Sequence, residues 1–512
     1  MPTLSSRKPV SRPFELPAWW PLAAIMLLAA VLRLATLDLQ SFWYDEAFTP
    51  VHVLHPSLWA TLRSVVHTEN TPPLWYVLVW ADSRVLGNGE IALRLPSALA
   101  GVATVPVAWA IGGELTRRRT TAIAAAAFVA VNPLLVWYSQ EARAYALFVL
   151  FAAVAMLCFL RALRTPSPGW MLAFACSGAL ALSSHYFAVF LLIPMVLWLV
   201  AARERRRTAL PAAAALALVG VALLALISAQ GGHGTQWIGQ WALSSRLQAV
   251  PQYYLTDYYG ASLGHGIELL VALPILLGLG YGLWRVLTPT EERGAAIALA
   301  IGAGGVLIPI ALAALGADYL APRNLVAAMI PVSALIAVVV PSERAGVVGI
   351  ALAVTIAVAF LAISVDVNLS PRLQRGDWRG LAKVLRESSP SGSAGASAAA
   401  GERRVITTVE LGAAPLEYYI PGLRNLARGT SVTVSEIEET GYSPLRPSAA
   451  SPPAPGFRLV GRSDVHGLIA YRFLSTRPRT VSEATLRRHV ITAVRPEVLV
   501  GPGVQTTLTP SA

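Results

Sequence analysis

The chain alternates between long apolar runs and short polar connections as far as about residue 370. Many of these runs approach or reach the roughly 20 residues that a helix needs to cross a bilayer, and one cleavable signal peptide cannot account for so many. The pattern predicts about eleven membrane-spanning helices, at residues 18–37, 96–115, 121–133, 143–163, 170–184, 187–202, 210–227, 267–287, 295–315, 325–340 and 347–365.

Composition supports a membrane protein. The chain is 55% hydrophobic and only 13% charged, whereas soluble domains carry roughly a quarter charged residues. The formal net charge is +12, which in a soluble protein would suggest nucleic-acid binding. Here the basic residues cluster in short connections between apolar runs, so they are better explained by membrane orientation, and no nucleic-acid partner is expected.

The positive-inside rule gives a topology. The basic connections at 117–119 and 203–207 are expected in the cytoplasm together with the N-terminal tail, residues 1–17. Alternation then places the C-terminus outside and residues 38–95 in a first outer loop. Within this loop, residues 72–86 are predicted to form a helix lying in the membrane interface, with a short tilted span as the alternative.

The last part of the chain changes character after residue 370, where prolines, serines and charges increase. Strands are predicted near 405–409, 431–434 and 468–473 and helices at 377–387 and 414–419, with a flexible linker at 388–401. The expected fold is therefore a mainly α membrane bundle, residues 18–370, followed by a small extracytoplasmic α/β domain, residues 371–500. Residues 501–512 are expected to be a poorly ordered tail.

Two acidic residues, Asp45 and Glu46, follow the first predicted span. Carboxylates at this position could accept a proton from a substrate or hold a metal, but acidic residues also favour a helix N-terminus for purely structural reasons. His67 and Glu69 lie in the same outer loop and could join the acidic cluster.

Three further polar positions are predicted on the outer face. Glu141 and Arg143 lie in a largely apolar setting, where an ion pair and a phosphate site are both open. Arg323 begins a later span, where it could bind an anionic headgroup or extend to the interface, and His185 alone is more typical of a structural histidine. Together these groups suit a reaction in which a carboxylate deprotonates an acceptor while cations hold a departing lipid phosphate.

The order of several motifs resembles the GT-C glycosyltransferases of family 39, which include protein O-mannosyltransferases and lipid A aminoarabinose transferases. The motifs are Trp43 with Asp45-Glu46, then Pro72-Pro73-Leu74, Arg94-Leu95-Pro96-Ser97, and Ser139-Gln140-Glu141-Ala142-Arg143-Ala144-Tyr145. The resemblance is densest over residues 30–200, and the last string is its most specific element. Asn324 follows Arg323 where the family usually has tyrosine, which weakens the correspondence there.

The resemblance implies a GT-C fold and specific residue roles. Asp45 would be the catalytic carboxylate with Glu46 supporting it, and Arg143 and Arg323 would bind the donor phosphate. The remaining supporting residues would be Glu141, Tyr145, His67 and His185. No metal ligands and no cofactor are assigned, and a divalent cation is left open.

The resemblance also implies a reaction on the extracytoplasmic face of the cell membrane. A single sugar, mannose or a related one, would move from a polyprenyl-phosphate donor to an acceptor hydroxyl or amine, with inversion at the anomeric carbon. The acceptor could be a glycan, a lipid or a protein. A transporter or flippase of lipid-linked sugars is the main alternative, although such a protein should carry polar residues near mid-span.

Overall fold

The computed structural model describes residues 19–202, 204–231, 238–387, 404–442, 451–489, 495–502, 504 and 506–508. The predicted N-terminal tail, the linker at 388–401 and half of the predicted C-terminal tail lie outside these residues. The described chain forms a helical bundle followed by a small sheet domain, which confirms the mainly helical architecture with a sheet domain.

The first half of the bundle carries the outer loop and the polar connections of interest. Its helices are α1 (Trp20–Leu34), α2 (Tyr44–Phe48), α3 (Leu58–Thr68), α4 (Leu74–Leu86), α5 (Glu90–Thr116), α6 (Arg119–Val131), α7 (Pro133–Ser139), α8 (Tyr145–Arg164), α9 (Pro168–Ser184) and α10 (Ala188–Ala201).

The second half continues through longer helices to the sheet domain. They are α11 (Arg206–Gln230), α12 (Leu243–Gly260), α13 (His265–Trp284), α14 (Pro289–Ala314), a 3-10 segment (Pro322–Ala328), α15 (Met329–Val339) and α16 (Gly346–Leu369).

Each of the eleven segments predicted to span the membrane is helical over most of its described residues. Within the described residues, seven helices are long and apolar enough to cross a bilayer, or up to eight if the bent pair α6–α7 is one span. Helices α1 and α10 are apolar but shorter. The chain is thus a multi-pass membrane protein by this measure, while the count of eleven and the orientation stay predictions.

The bend between α6 and α7 leads the chain into the connection that carries Glu141 and Arg143. Asn132 ends α6, its side chain accepts a hydrogen bond from the Leu135 amide at 3.1 Å, and Pro133 begins α7, a position that suits proline because its missing N–H needs no partner there. The two helices meet at 55°. The buried Arg33 donates to the carbonyls of Val129 and Ala130 at 3.1 and 2.7 Å, which satisfies acceptors left open at the end of α6.

The sheet domain contains the predicted helices and strands. They are α17 (Trp378–Glu387), β1 (Arg404–Thr408), α18 (Ala413–Tyr419), β2 (Arg424–Asn425), β3 (Thr430–Tyr442), β4 (Arg458–Val465), β5 (Leu468–Ser482), α19 (Glu483–Arg488), β6 (Glu497–Val500) and β7 (Thr506–Leu508). Residues 506–508 pair with β3, and the poorly ordered tail predicted for 501–512 stays a prediction.

The sheet order is β2-β6-β1-β3-β5-β4, with β7 pairing β3 off this path. Strands β1 and β3 are parallel, and the other pairs are antiparallel. Helices α17 and α18 bury Trp378, Leu381 and Leu416 against Ile406 and Leu499 of the sheet. This packing fixes the two helices as the side of the domain that meets the outer loop of the bundle.

Candidate active site on the outer loops

Helix α2 presents its two carboxylates to different surroundings. Asp45 and Glu46 occupy the first turn, where the helix dipole favours negative charge. Successive helix residues project about 100° apart, so the two side chains diverge. The Asp45 side chain is 19% exposed, whereas that of Glu46 is fully buried.

Asp45 is paired with Arg323. Nη1 of Arg323 donates a hydrogen bond to Oδ2 of Asp45 at 3.0 Å. Arg323 lies at the start of the 3-10 segment, directly after Pro322, and its side chain is 23% exposed. The structure therefore brings together two of the predicted site residues, both with access to solvent.

Arg143 also contacts Asp45, from the connection between α7 and α8. Its guanidinium contacts the Glu69 carboxylate at 3.3 and 3.4 Å and the Asp45 backbone carbonyl at 3.4 Å. Burial alone would lower the pKa of Arg143, but the nearby Glu69 and Tyr76 raise it well above its ordinary value. Arg143 therefore keeps its positive charge. Of the two roles left open by the sequence, an ion pair or a phosphate site, the structure contains the ion pair, with Glu69.

Glu46 is held from several directions. Arg94 donates to its two oxygens through Nε at 2.7 Å and Nη2 at 2.6 Å, and the Ala142 amide donates at 2.8 Å. Burial by itself would raise the pKa of Glu46, but Arg94, helped by Arg375, brings it below its ordinary value. The Glu46 carboxylate is therefore ionised, and both of its oxygens already accept hydrogen bonds. These properties suit a residue that anchors the loops better than one that exchanges protons with a substrate.

Arg375 links this anchor to Glu141. Its guanidinium lies 3.4 Å from a Glu46 oxygen and 3.3 Å from a Glu141 oxygen. It also lies over the rings of Trp43 and Trp137, at 4.2 and 4.7 Å from their centres, in a cation–π arrangement. Burial raises the pKa of Glu141, and Arg375 opposes that rise.

Tyr145 and His185 form an aromatic wall beside the arginines. The His185 ring is stacked on Phe148, with centres 4.9 Å apart, and is tilted against Tyr145 at 5.7 Å. Burial lowers the pKa of His185 to about 3, with Arg143 and Arg323 adding to the effect. The imidazole is therefore neutral at physiological pH and suits packing or hydrogen bonding rather than charge pairing.

His67 is not part of this cluster. It is exposed in the last turn of α3, and across the described residues no hydrogen bond or ion pair joins it to the carboxylates. Its neighbour Glu69 is instead the residue of that segment that enters the cluster, through Arg143. Also within the described part of the chain, no three His, Cys, Asp or Glu side chains converge as metal ligands would.

Two site residues were not identified as such from the sequence. Arg94 belongs to one of the quoted motifs, yet its role as the partner of Glu46 depends on the packing of α5 against the outer loop. Arg375 lies far along the chain, directly after the bundle, and comes to the site only because the sheet domain folds back over α2. Its signal in the sequence was an arginine just after the predicted domain boundary at residue 370.

Comparisons with known proteins bear on both the sequence and the fold. A model of the dolichyl-phosphate-mannose-protein mannosyltransferase family matches residues 70–229, which is less than half of the chain. No individual curated protein matches the chain.

The fold is similar to that of ArnT from Cupriavidus metallidurans. In its apo state the TM-score is 0.54 at 11% identity, covering 88% of this chain and 97% of that one. Bound to undecaprenyl phosphate it gives 0.52 at 12% identity, covering 89% and 98%. At these identities the likeness shows the fold.

An oligosaccharyltransferase from Archaeoglobus fulgidus, in complex with zinc and sulfate, is also similar, with a TM-score of 0.46 at 15% identity. That alignment covers 73% of this chain, which spans 56% of the archaeal protein's length. The resemblance to GT-C glycosyltransferases predicted from the sequence motifs is confirmed, while the narrower class of family 39 stays a prediction. The chain is therefore similar to these glycosyltransferases in sequence over residues 70–229 and in fold to ArnT.

Proposed function

We propose that the chain transfers a single sugar, mannose or a related one, from a polyprenyl-phosphate donor to a hydroxyl or amine acceptor on the extracytoplasmic side of the membrane. The observation that carries the proposal is the pairing of the Asp45 carboxylate with Arg323, together with the contact of Arg143 to the Asp45 backbone carbonyl. One carboxylate and two cations thus lie together on the outer loops. The fold shared with a protein solved with undecaprenyl phosphate supports a lipid-linked donor.

The proposed reaction is a single displacement. The Asp45 carboxylate takes the proton from the acceptor O–H or N–H as that atom attacks the anomeric carbon. The bond from the anomeric carbon to the phosphate oxygen breaks, and its electron pair leaves with the polyprenyl phosphate. One displacement inverts the configuration at that carbon. Arg143 and Arg323 stabilise the charge of the departing phosphate, the kind of interaction that usually contributes most to such a rate.

The other predicted residues have separate parts in this proposal. Glu46, with Arg94 and Arg375, holds the loop that carries Asp45 in place. Tyr145 and the neutral His185 form the wall beside the arginines and help to shape the donor site. His67, which is exposed on α3, has no assigned step.

The experiment is transfer by the purified protein in proteoliposomes, with a panel of radiolabelled polyprenyl-phosphate sugars and a pool of envelope lipids, glycans and proteins as acceptors. Asp45→Asn should abolish product formation. Asp464→Asn, the same substitution on the exposed side of the sheet domain, should leave it unchanged. Undiminished transfer by Asp45→Asn would remove Asp45 from its role, and movement of the lipid-linked sugar across the bilayer without product would favour a flippase.

A further inference from the structure

The sheet domain holds the backbone that leads into α2. The Tyr419 hydroxyl, at the end of α18, accepts a hydrogen bond from the Phe42 amide at 2.7 Å and donates one to the Glu90 carboxylate. The Phe42 amide lies 3.3 Å from the same Glu90 oxygen, which is longer than an ordinary N–H···O hydrogen bond. One phenol therefore bridges the outer loop and the first turn of α5.

Helix α17 adds a second set of contacts to the same stretch. Arg379 donates to the other oxygen of Glu90 and to the Asp38 carbonyl, the latter at 2.9 Å. The Trp378 amide donates to the Ser41 hydroxyl at 3.0 Å. The two helices of the sheet domain thus bind residues 38–42, immediately before the Asp45 helix.

Helix α2 depends on such contacts for its orientation. It has only five residues, and isolated helices shorter than roughly 12 residues are marginal in water. Its side chains must therefore be oriented by what the flanking backbone is bound to. Phe42 is the last buried anchor before Trp43 and the carboxylates of the first turn.

We propose that Tyr419 is a positioning residue for the transfer reaction, through which the sheet domain sets the orientation of Asp45. This inference rests on the proposed function, because it assigns Asp45 a step in the reaction. The sheet domain would then be required for the correct orientation of Asp45.

The test uses the full chain in nanodiscs and compares Tyr419→Phe with Tyr418→Phe. Both variants keep the aromatic ring and lose only a hydroxyl. The Tyr418 hydroxyl donates to the Asn88 carbonyl at 2.9 Å, outside the stretch that precedes α2, so this variant is the matched control. Amide hydrogen exchange of residues 38–48 is measured together with the kcat and KM of transfer from the polyprenyl-phosphate sugar that the wild type uses.

Tyr419→Phe should speed exchange of the Phe42 amide roughly tenfold, because a buried N–H loses its best acceptor. It should lower kcat roughly 10- to 100-fold with little change in the donor KM, since small misplacements of a reacting group are that costly. The control should match the wild type in all three measurements.

The outcomes separate this inference from the proposed function. If Asp45→Asn is inactive while Tyr419→Phe exchanges and turns over like the wild type, the positioning role is wrong and the proposed function stands. If Asp45→Asn retains full activity, the proposed function fails first. A Tyr419→Phe variant whose donor KM rises as much as its kcat falls would show a general structural effect on the site, which also overturns the inference.

Discussion

Replacing Glu46 with glutamine should separate the anchoring of the site from its chemistry. Glu46 is fully buried and takes two short hydrogen bonds from Arg94, at 2.7 and 2.6 Å, and one from the Ala142 amide at 2.8 Å. The substitution leaves the guanidiniums of Arg94 and Arg375 buried without their shared carboxylate. Removing one partner of a buried ion pair costs about 3–5 kcal/mol, so we expect a loss of stability of that order.

The assay is equilibrium unfolding in mixed detergent micelles, followed by circular dichroism. Glu114→Gln is the matched control, because Glu114 also pairs with two arginines, Arg161 and Arg164, whose side chains are 35% and 51% exposed. Exposed ion pairs contribute about 0–1 kcal/mol, so this variant should unfold close to the wild type. Asp45→Asn should likewise keep wild-type stability while losing transfer.

The contribution of Glu46 to the stability of the protein should decrease at low pH. The pKa of Glu46 is lowered in the folded protein, against burial, chiefly by Arg94. Its contribution to stability is therefore fully present above the unfolded-state value near 4.5 and is lost as the pH falls through the folded-state pKa. A Glu46→Gln variant that unfolds like the wild type at neutral pH, yet has no transfer activity, would refute this reasoning and give Glu46 a direct part in catalysis.

Three further predictions concern charge stabilisation, the sheet domain and orientation. Arg323→Gln should lower kcat by on the order of 10²–10³, whereas Arg344→Gln, at the opposite end of the bundle, should not, and steady-state transfer rates check both. Burial raises the pKa of Glu438 from 4.5 to about 7, so the sheet domain should lose about 3 kcal/mol of stability as the pH rises through this interval. In Glu438→Gln the free energy of unfolding, measured from pH 4.5 to 7, should vary less with pH than in the wild type. In a background without the native cysteines, Asn88→Cys should react with an impermeant thiol reagent in intact cells and Thr165→Cys only after permeabilisation; the reverse pattern would overturn the orientation.

The helices of the bundle could be predicted from the sequence because the length of an apolar segment largely determines whether it can cross a bilayer. Each of the eleven predicted segments is helical over most of its described residues, and α4 begins where the double proline predicts it. Helix α12, between the segments 210–227 and 267–287 that were predicted to span the membrane, was not predicted, since its mean hydropathy is low and its helical period is interrupted by Pro251. In the sheet domain, β3 and β5 extend well beyond the predicted strands because pairing with each other supports residues of weak strand propensity.

Only some residues of the candidate site could be predicted from the sequence. Motif order gave Asp45, Arg143 and Arg323, and the structure joins them. The roles of Arg94 and Arg375 depend on contacts between segments far apart in the chain, which no local pattern reports. Adjacent carboxylates on one short helix also look equivalent in sequence, and only burial distinguishes the exposed Asp45 from its anchored neighbour.

The central claim is that a polyprenyl phosphate leaves as the sugar reaches its acceptor, with Asp45 taking the acceptor proton. The most direct measurement is the amount of polyprenyl phosphate released per sugar transferred, in proteoliposomes supplied with a doubly labelled donor and the acceptor pool. We predict one lipid phosphate for each sugar in the wild type and neither product with Asp45→Asn. Sugar transfer without equal release of lipid phosphate, or equal release by the wild type and Asp45→Asn, would contradict the proposed mechanism.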